Sequence, residues 1–209
     1  MSAFDKLVAF FRRFHGIGPR QAKRFVFFLL SLSSEEIKEF TTSLSELKNE
    51  TVSCNTCFRF FRSRNKDNQT CPICLDPNRT SEILMIVPKD VDLETVEKSA
   101  IFDGKYFVIG GTVPLLEKMT TSLRFAELKK HIEILKKNGL KEIIIASNIN
   151  PEGEHTAEII SSFLSPIIES TDIKISSLGR GLSTGTELEY TDPDTLKSAL
   201  SNRVGQNNK

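Results

Sequence analysis

Ile83-Leu84-Met85-Ile86-Val87 is a short, unbroken apolar run. Such a run lacks the in/out alternation of a half-solvated strand and fits a strand buried on both faces. Three more runs follow it: Tyr106-Phe107-Val108-Ile109, Glu142-Ile143-Ile144-Ile145-Ala146 and Ile173-Lys174-Ile175-Ser176-Ser177-Leu178. Between them, Phe125 to Lys137 and Glu154 to Leu164 read as helices. Strands alternating with helices predict an α/β domain with a mainly parallel sheet.

Upstream of this domain stand the chain's only four cysteines, Cys54-Asn-Thr-Cys57 and Cys71-Pro-Ile-Cys74. Each C-x-x-C turn presents two sulfurs to one ion, and an intervening hairpin brings the second pair round to complete a tetrahedron. This spacing predicts one Zn²⁺ per chain held by Cys54, Cys57, Cys71 and Cys74. Four protein ligands leave no position for water, so the ion is expected to be structural. A disulfide reading needs an oxidising compartment, and no signal peptide opens the chain. A dithiol redox reading needs only one of the two pairs. Arg59, Phe60, Phe61, Arg62 and Arg64 lie between the pairs. They fit either the small core of the module with charged flanks or a stacking and phosphate surface.

Further upstream, Phe4, Leu7, Val8, Phe11 and Phe14 recur at helical spacing, and this helix is expected to stop at Gly16. The turn Gly16-Ile17-Gly18-Pro19 follows, with Pro19 suited to open a helix running to about Leu32. A third helix opens at Ser33-Ser34-Glu35-Glu36, a serine cap with acids in its first turn. Two short helices joined through such a turn make a helix-hairpin-helix candidate. The glycines let a phosphate approach the backbone, and the start of the second helix offers unpaired N–H groups and a positive dipole end. Gly16, Ile17, Gly18, Arg20, Lys23 and Arg24 are the candidate DNA-binding residues. Phe25, Phe28 and Leu29 are expected to face inward. Contacts of this kind carry no base information and weaken steeply with salt. A plain glycine turn between packed helices fits the same residues. The Phe-rich stripe fits either a subunit interface or a shared three-helix core.

Composition agrees with several modules. The chain has 209 residues and is 39% hydrophobic, as ordinary globular proteins are. Its longest apolar run near the N-terminus, Phe25 to Leu30, falls far below the ~20 residues needed to span a bilayer. A cytoplasmic location and no membrane partner are therefore expected. The formal net charge is only +1, but Met1 to Leu30 holds Lys6, Arg12, Arg13, Arg20, Lys23 and Arg24 against the single acid Asp5. Arg59, Arg62, Arg64 and Lys66 add four more, so the basic charge sits in the first third of the chain.

In order, the Gly16-Ile17-Gly18-Pro19-Arg20 hairpin, the two cysteine pairs and Ala146-Ser147-Asn148 with Glu152-Gly153-Glu154-His155-Thr156-Ala157 resemble one family. Gly179-Arg180-Gly181-Leu182 leading to Glu187-Leu188-Glu189-Tyr190 completes the pattern. The chain resembles the RecR family of bacterial recombination mediators over nearly its whole length. That resemblance implies an α+β multidomain protein. Residues 1–52 would form the helix-hairpin-helix region, 53–79 a C4-type zinc finger, 82–179 a Toprim domain and 180–209 a C-terminal extension. It implies a homo-oligomer, dimer or tetrameric ring, that clamps DNA and is nucleoid-associated. It implies action with RecO and RecF in DNA recombination and repair after DNA damage, helping recombinase load on single-stranded gaps. By the same resemblance Arg20 and Arg24 take DNA-contacting positions, and Glu152 and Glu154 take partner-binding positions.

Toprim enzymes hold Mg²⁺ with a Glu ending the first strand and an Asp-x-Asp after the third. Here the first strand ends Ile86-Val87-Pro88-Lys89, with no acid until Asp90, and the third ends Ser147-Asn148-Ile149-Asn150, with none until Glu152. The resemblance therefore implies a domain that is not an enzyme. The chain also departs from the family at the strand-end Glu, at Ser183-Thr184-Gly185-Thr186, and at His15, where a Pro is usual. Two alternatives stand beside the clamp: a Toprim-type Mg-dependent nuclease or primase-like enzyme, and a zinc-ribbon protein-interaction module.

Overall fold

The computed structural model describes residues 1–63, 69–117, 123–179, 181–182, 185 and 187–203. Arg64, Lys66, Arg180, Ser183, Thr184 and Thr186, named above, lie outside the described residues. The chain divides into two compact units, one built from Met1–Val52 with Arg62 and Ser63, the other from Ser53–Phe61 and the described residues beyond.

The first unit is helical: α1 (Ala3–Phe11), α2 (Pro19–Ser31) and α3 (Ser34–Glu50). Reciprocal capping boxes start two of them. Ser2 pairs with Asp5 at α1, and Ser33 pairs with Glu36 at α3. In each case the hydrogen bonds to the serine hold the carboxyl below its usual range. The first helix ends at Phe11, short of the expected Gly16. The N–H groups of Arg13 and Phe14 donate to the carbonyls of Phe10 and Phe11, which tightens the chain into a turn before Gly16 at φ +77°. The core of this unit is small, since only Ala22 and Val26 are buried in its helices. Phe28, expected inside, is 61% exposed, and α3 buries none of its residues.

The second unit carries a four-stranded, all-parallel sheet of β3 (Ile83–Val87), β4 (Lys105–Val108), β5 (Glu142–Ile145) and β6 (Lys174–Ser177), in the order β4-β3-β5-β6. Crossovers run through α5 (Asp90–Ser99), α6 (Phe125–Lys137) and α7 (Pro151–Ile168). The strand pleat sorts β3 and its neighbours onto two faces. Leu84, Ile86, Phe107, Ile109, Ile143 and Ile145 pack with Leu128, Ile132 and Leu135 of α6 and Ile160 and Leu164 of α7. Met85, Val87, Tyr106 and Val108 face the other way, against Leu93 of α5 and against Cys54, Cys57, Cys71 and Ile73. The cysteine segment thus covers part of the sheet as a helix would.

That segment comprises β1 (Thr51–Ser53) and β2 (Phe60–Arg62), paired in a two-stranded sheet, and the single turn α4 (Pro72–Leu75). The boundary between the two units runs through both strands. A 3₁₀ turn at Leu188–Tyr190 and the helix α8 (Pro193–Ser201) end the described chain.

Candidate metal centre and nucleic-acid interface

The first cysteine pair is set by a tight local turn. Cys54 N–H donates to Arg59 O at 2.8 Å, Phe58 N–H donates to Cys54 O at 3.0 Å, and Phe58 takes a left-handed φ of +62°. A non-glycine residue in that region is uncommon and held only by its surroundings. Here the Phe58 ring is fixed between Phe107, at 5.4 Å, and the Arg124 guanidinium, also at 5.4 Å. The second pair sits on α4, with Cys71 as its N-cap and Cys74 in its only turn. Both pairs are pinned to the sheet. Val108 N–H donates to Cys57 O at 2.8 Å, and Lys105 Nζ donates to Cys74 O at 3.3 Å and Asp76 O at 3.1 Å. Phe60 N–H donates to the Asp90 carboxylate at 2.6 Å.

The four sulfurs converge. All lie within 4.8 Å of one another, with Cys54 Sγ 3.8 Å from Cys74 Sγ and Cys57 Sγ 3.6 Å from Cys71 Sγ. These separations are far beyond an S–S bond of about 2.05 Å, and all four thiols are free. Cys54 Sγ also accepts the N–H groups of Thr56 and Cys71, each at 3.4 Å. The neighbouring sulfurs and burial push the Cys57 and Cys74 thiols up. Four thiolates this close repel one another, and a cation among them reverses that penalty. The cluster can hold a metal ion.

His131 of α6 went unremarked in the sequence, where it reads as one polar residue in an apolar stripe. It is 6% exposed, its ring lies 5.7 Å from that of Phe107, and its Nε2 has no hydrogen-bond partner among the described residues. Burial pushes its pKa down to about 4, so it is neutral near pH 7.

Glu152 and Glu154 stand exposed in the first turn of α7, where Asn150 caps the helix by accepting Gly153 N–H at 2.8 Å. Glu154 and Asn148 line a small cavity of about 90 Å³ at the ends of β5 and β6. Among the described residues, the cysteines are the only three or more His, Cys, Asp or Glu side chains close enough to share an ion. Ile86, one residue before the end of β3, is 1% exposed in the core.

In the helical unit, α2 begins at Gly18 with no side-chain cap, and Pro19 occupies the first position. The N–H groups of Arg20 and Gln21, in that first turn, therefore have no capping acceptor. A Cβ at Gly16 or Gly18 would meet nothing within 4 Å, so the turn lies open to a ligand. Arg20, Lys23 and Arg24 are all exposed and fall on one helix face at i, i+3 and i+4. Ile17 is half-buried, its N–H donates to Phe14 O at 3.1 Å, and its side chain lines an apolar groove with Phe11, Phe14, Phe25, Phe28 and Phe40. The groove is about 500 Å³.

A doubly covered parallel sheet with a four-cysteine cluster on one face defines an α/β protein with an attached module that can hold a metal ion. Residues 82–179 match the family described as Toprim domain, and residues 181–204 match the family described as RecR, C-terminal. The recombination protein RecR of Bifidobacterium adolescentis is 35% identical over 202 residues, covering 96% of this chain and 95% of that one. Its counterpart in Clostridium perfringens is 34% identical over 203 residues, covering 97% and 96%. That of Bifidobacterium longum subsp. infantis is 32% identical over 202 residues, covering 96% and 95%. The chain belongs to the RecR family. Among the described residues, no helix is long and apolar enough to cross a membrane.

Proposed function

We propose that this chain is a non-catalytic, DNA-binding mediator of recombinational repair that grips the phosphate backbone through its hairpin. The observation that carries the reading is the uncapped start of α2 at an open glycine turn, with Arg20, Lys23 and Arg24 on one exposed face. Uncapped N–H groups and a helix dipole attract an anion, and three cations at that spacing reach adjacent phosphates.

In this reading residues 1–52 hold DNA and 53–79 form a structural zinc finger. Residues 82–179 and 180–209 serve assembly and partners. Cys54, Cys57, Cys71 and Cys74 bind one Zn²⁺. Four thiolates at the Zn–S distance of about 2.3 Å form a tetrahedron with edges of about 3.8 Å, which the 3.6 and 3.8 Å separations fit. The exposed phenylalanines of the helical unit support a homo-oligomer, dimer or tetrameric ring, in which the apolar groove is covered. Glu152 and Glu154 are the proposed partner-binding residues, and the chain acts with RecO and RecF to load recombinase on single-stranded gaps in the cytoplasm.

The test is the salt dependence of binding by full-length protein. Three phosphate contacts give a slope of about −2.7 in log K against log salt on duplex DNA, and Arg20→Ala with Arg24→Ala should reduce it to about −0.9. The loss should be the same for unrelated sequences. Unchanged affinity and slope in the double variant would sink the hairpin reading. Mg²⁺-dependent nicking or primer synthesis by the pure protein would favour the enzyme alternative.

A further inference from the structure

The four cysteines are not equivalent. Cys54, Cys57 and Cys71 are each 0% exposed, whereas Cys74 is half-buried and lines a solvent-open cavity of about 340 Å³. Thr56, Arg79, Lys105 and His131 line the same cavity. The sulfurs also differ in their hydrogen bonds. Cys54 Sγ accepts two backbone N–H groups, which draw charge from it. Cys74 Sγ accepts none among the described residues, and neither does Cys57 Sγ, so access to the cavity is what sets Cys74 apart from Cys57. A thiolate's reactivity follows its access and its available charge. A metal-bound thiolate is deprotonated outright, and of the facing pair Cys54 and Cys74, the latter has the fewer N–H donors and keeps the more nucleophilic lone pair.

We propose that Cys74 is a modification site, the sulfur at which small peroxides attack the metal centre through this cavity. The proposal rests on the zinc reading above. The Cys74 thiolate attacks a peroxide oxygen, the O–O bond breaks, and the sulfur is oxidised by two electrons to sulfenic acid. The departing hydroxide (alkoxide, from an alkyl hydroperoxide) takes up a proton. Cys54, whose sulfur lies 3.8 Å away, then attacks the Cys74 sulfur. The S–S bond forms, the S–O bond breaks, and the hydroxyl leaves with a proton as water. With hydrogen peroxide, the sum is two thiolates, one peroxide and two protons giving one disulfide and two waters. Two of the four ligands are lost, and the ion is released. The Cys57 and Cys71 sulfurs, 3.6 Å apart, form the second pair when a second peroxide follows.

The experiment uses the zinc-bound full chain and hydrogen peroxide in the presence of a chromogenic zinc chelator. Samples are trapped over time with dimedone, alkylated, digested and mapped by mass spectrometry. The first dimedone adduct is expected on Cys74 and the first disulfide between Cys54 and Cys74, with zinc release following the disulfide. Cys74→His keeps a zinc-ligating side chain and should slow peroxide-driven release by about tenfold, while Cys71→His leaves it within about twofold. A first adduct on Cys54, Cys57 or Cys71, or equal slowing by both histidine variants, overturns the proposal. If either variant fails to retain zinc, the adduct order in the unaltered chain decides alone. Metal-free protein from a zinc-replete preparation would instead remove the zinc reading itself, and this one with it.

Discussion

Replacing Gly153 with alanine sets two effects of opposite sign against each other. Gly153 is the third residue of α7, and alanine in a helix is favoured over glycine by ~1 kcal/mol. Propensity alone therefore makes Gly153→Ala stabilising. The surroundings say otherwise. A Cβ there would overlap the Asn148 carbonyl oxygen and lie 2.8 Å from its carbon and 3.0 Å from the Asn148 nitrogen. These are backbone atoms of the short link between β5 and α7, so no side chain can swing away. The start of α7 must withdraw, by roughly 1 Å to restore ordinary contact.

That retreat acts on two features downstream. Thr156 is 0% exposed; its Oγ1 donates to Glu152 O at 2.6 Å and accepts Val113 N–H at 2.9 Å. Leaving the buried Val113 N–H unpaired costs ~1–3 kcal/mol. Misseating Ile160 and Leu164 in the core adds ~1–3 kcal/mol. Less the propensity gain, the variant should lose ~1–5 kcal/mol, which for a chain of this size lowers Tm by roughly 2–20 °C. Urea and thermal unfolding followed by circular dichroism, with metal content measured alongside, reads this directly. A variant as stable as the parent, or more stable by ~1 kcal/mol, would refute the seating of α7 against Asn148.

Cys71→Ser should remove the bound metal and disorder the cysteine segment, because structural zinc contributes on the order of 10 kcal/mol of folding free energy to small modules. Elemental analysis and hydrogen exchange check this, and a normal metal ratio would contradict it. His131→Phe should change the pH dependence of stability. His131 titrates near 6.5 when unfolded and is pushed down to about 4 in the fold. The unfolded chain takes the proton first, so stability is fully present above about pH 6.5 and falls as pH drops towards 4. The variant should lose ~2–3 kcal/mol less than the parent between pH 7 and 4.5. The comparison is a difference between two denaturation series in which metal loss is common to both. Ser33→Ala removes the acceptor of Glu36 N–H at 3.2 Å and the box that returns through Glu36 to Ser33 N–H at 2.8 Å. It should cost ~1 kcal/mol and fray α3, seen as lost helical ellipticity.

Where burial is symmetric, the sequence is easy to read. The Ile83–Val87 run matches β3 because side chains on both faces of that strand are covered, so no alternation obscures it. Phe125–Lys137 coincides with α6, whose inward stripe is filled by Phe125, Leu128, Ile132 and Leu135. Legibility fails where a face is only thinly apolar. The periodicity places no helix at α5, which buries Leu93 alone, or at α8, which buries nothing. Phe14 keeps the spacing of α1 yet lies beyond its end, because local i−3 bonds close the chain before the periodic pattern stops. Cysteine spacing foretells a cluster but not its seat. That the sulfurs share a core with Met85, Val87, Tyr106 and Val108 depends on a sheet face that α5 covers only in part.

The acid at the end of the first sheet strand shows how a metal-competent frame can be put to another use. Asp90 is the first carboxylate after β3, and it opens α5 while accepting Phe60 N–H at 2.6 Å. It is therefore engaged in holding β2 of the cysteine segment to the sheet. A Mg²⁺ ion demands near-octahedral oxygen ligation at about 2.0–2.1 Å and is usually anchored by one or two carboxylates. Ile86 is packed into the core at 1% exposure, Asn148 is neutral, and Glu152 and Glu154 project from the first turn of α7. Asp90 Oδ1 is taken by Phe60 N–H, and among the described residues the remaining acids are not gathered into one site. The same end of the sheet that in a Toprim enzyme organises charge around Mg²⁺ is here spent on fastening the thiolate centre. Among the described residues, the side chains gathered closely enough to hold an ion lie on one face of the sheet and not at the strand ends.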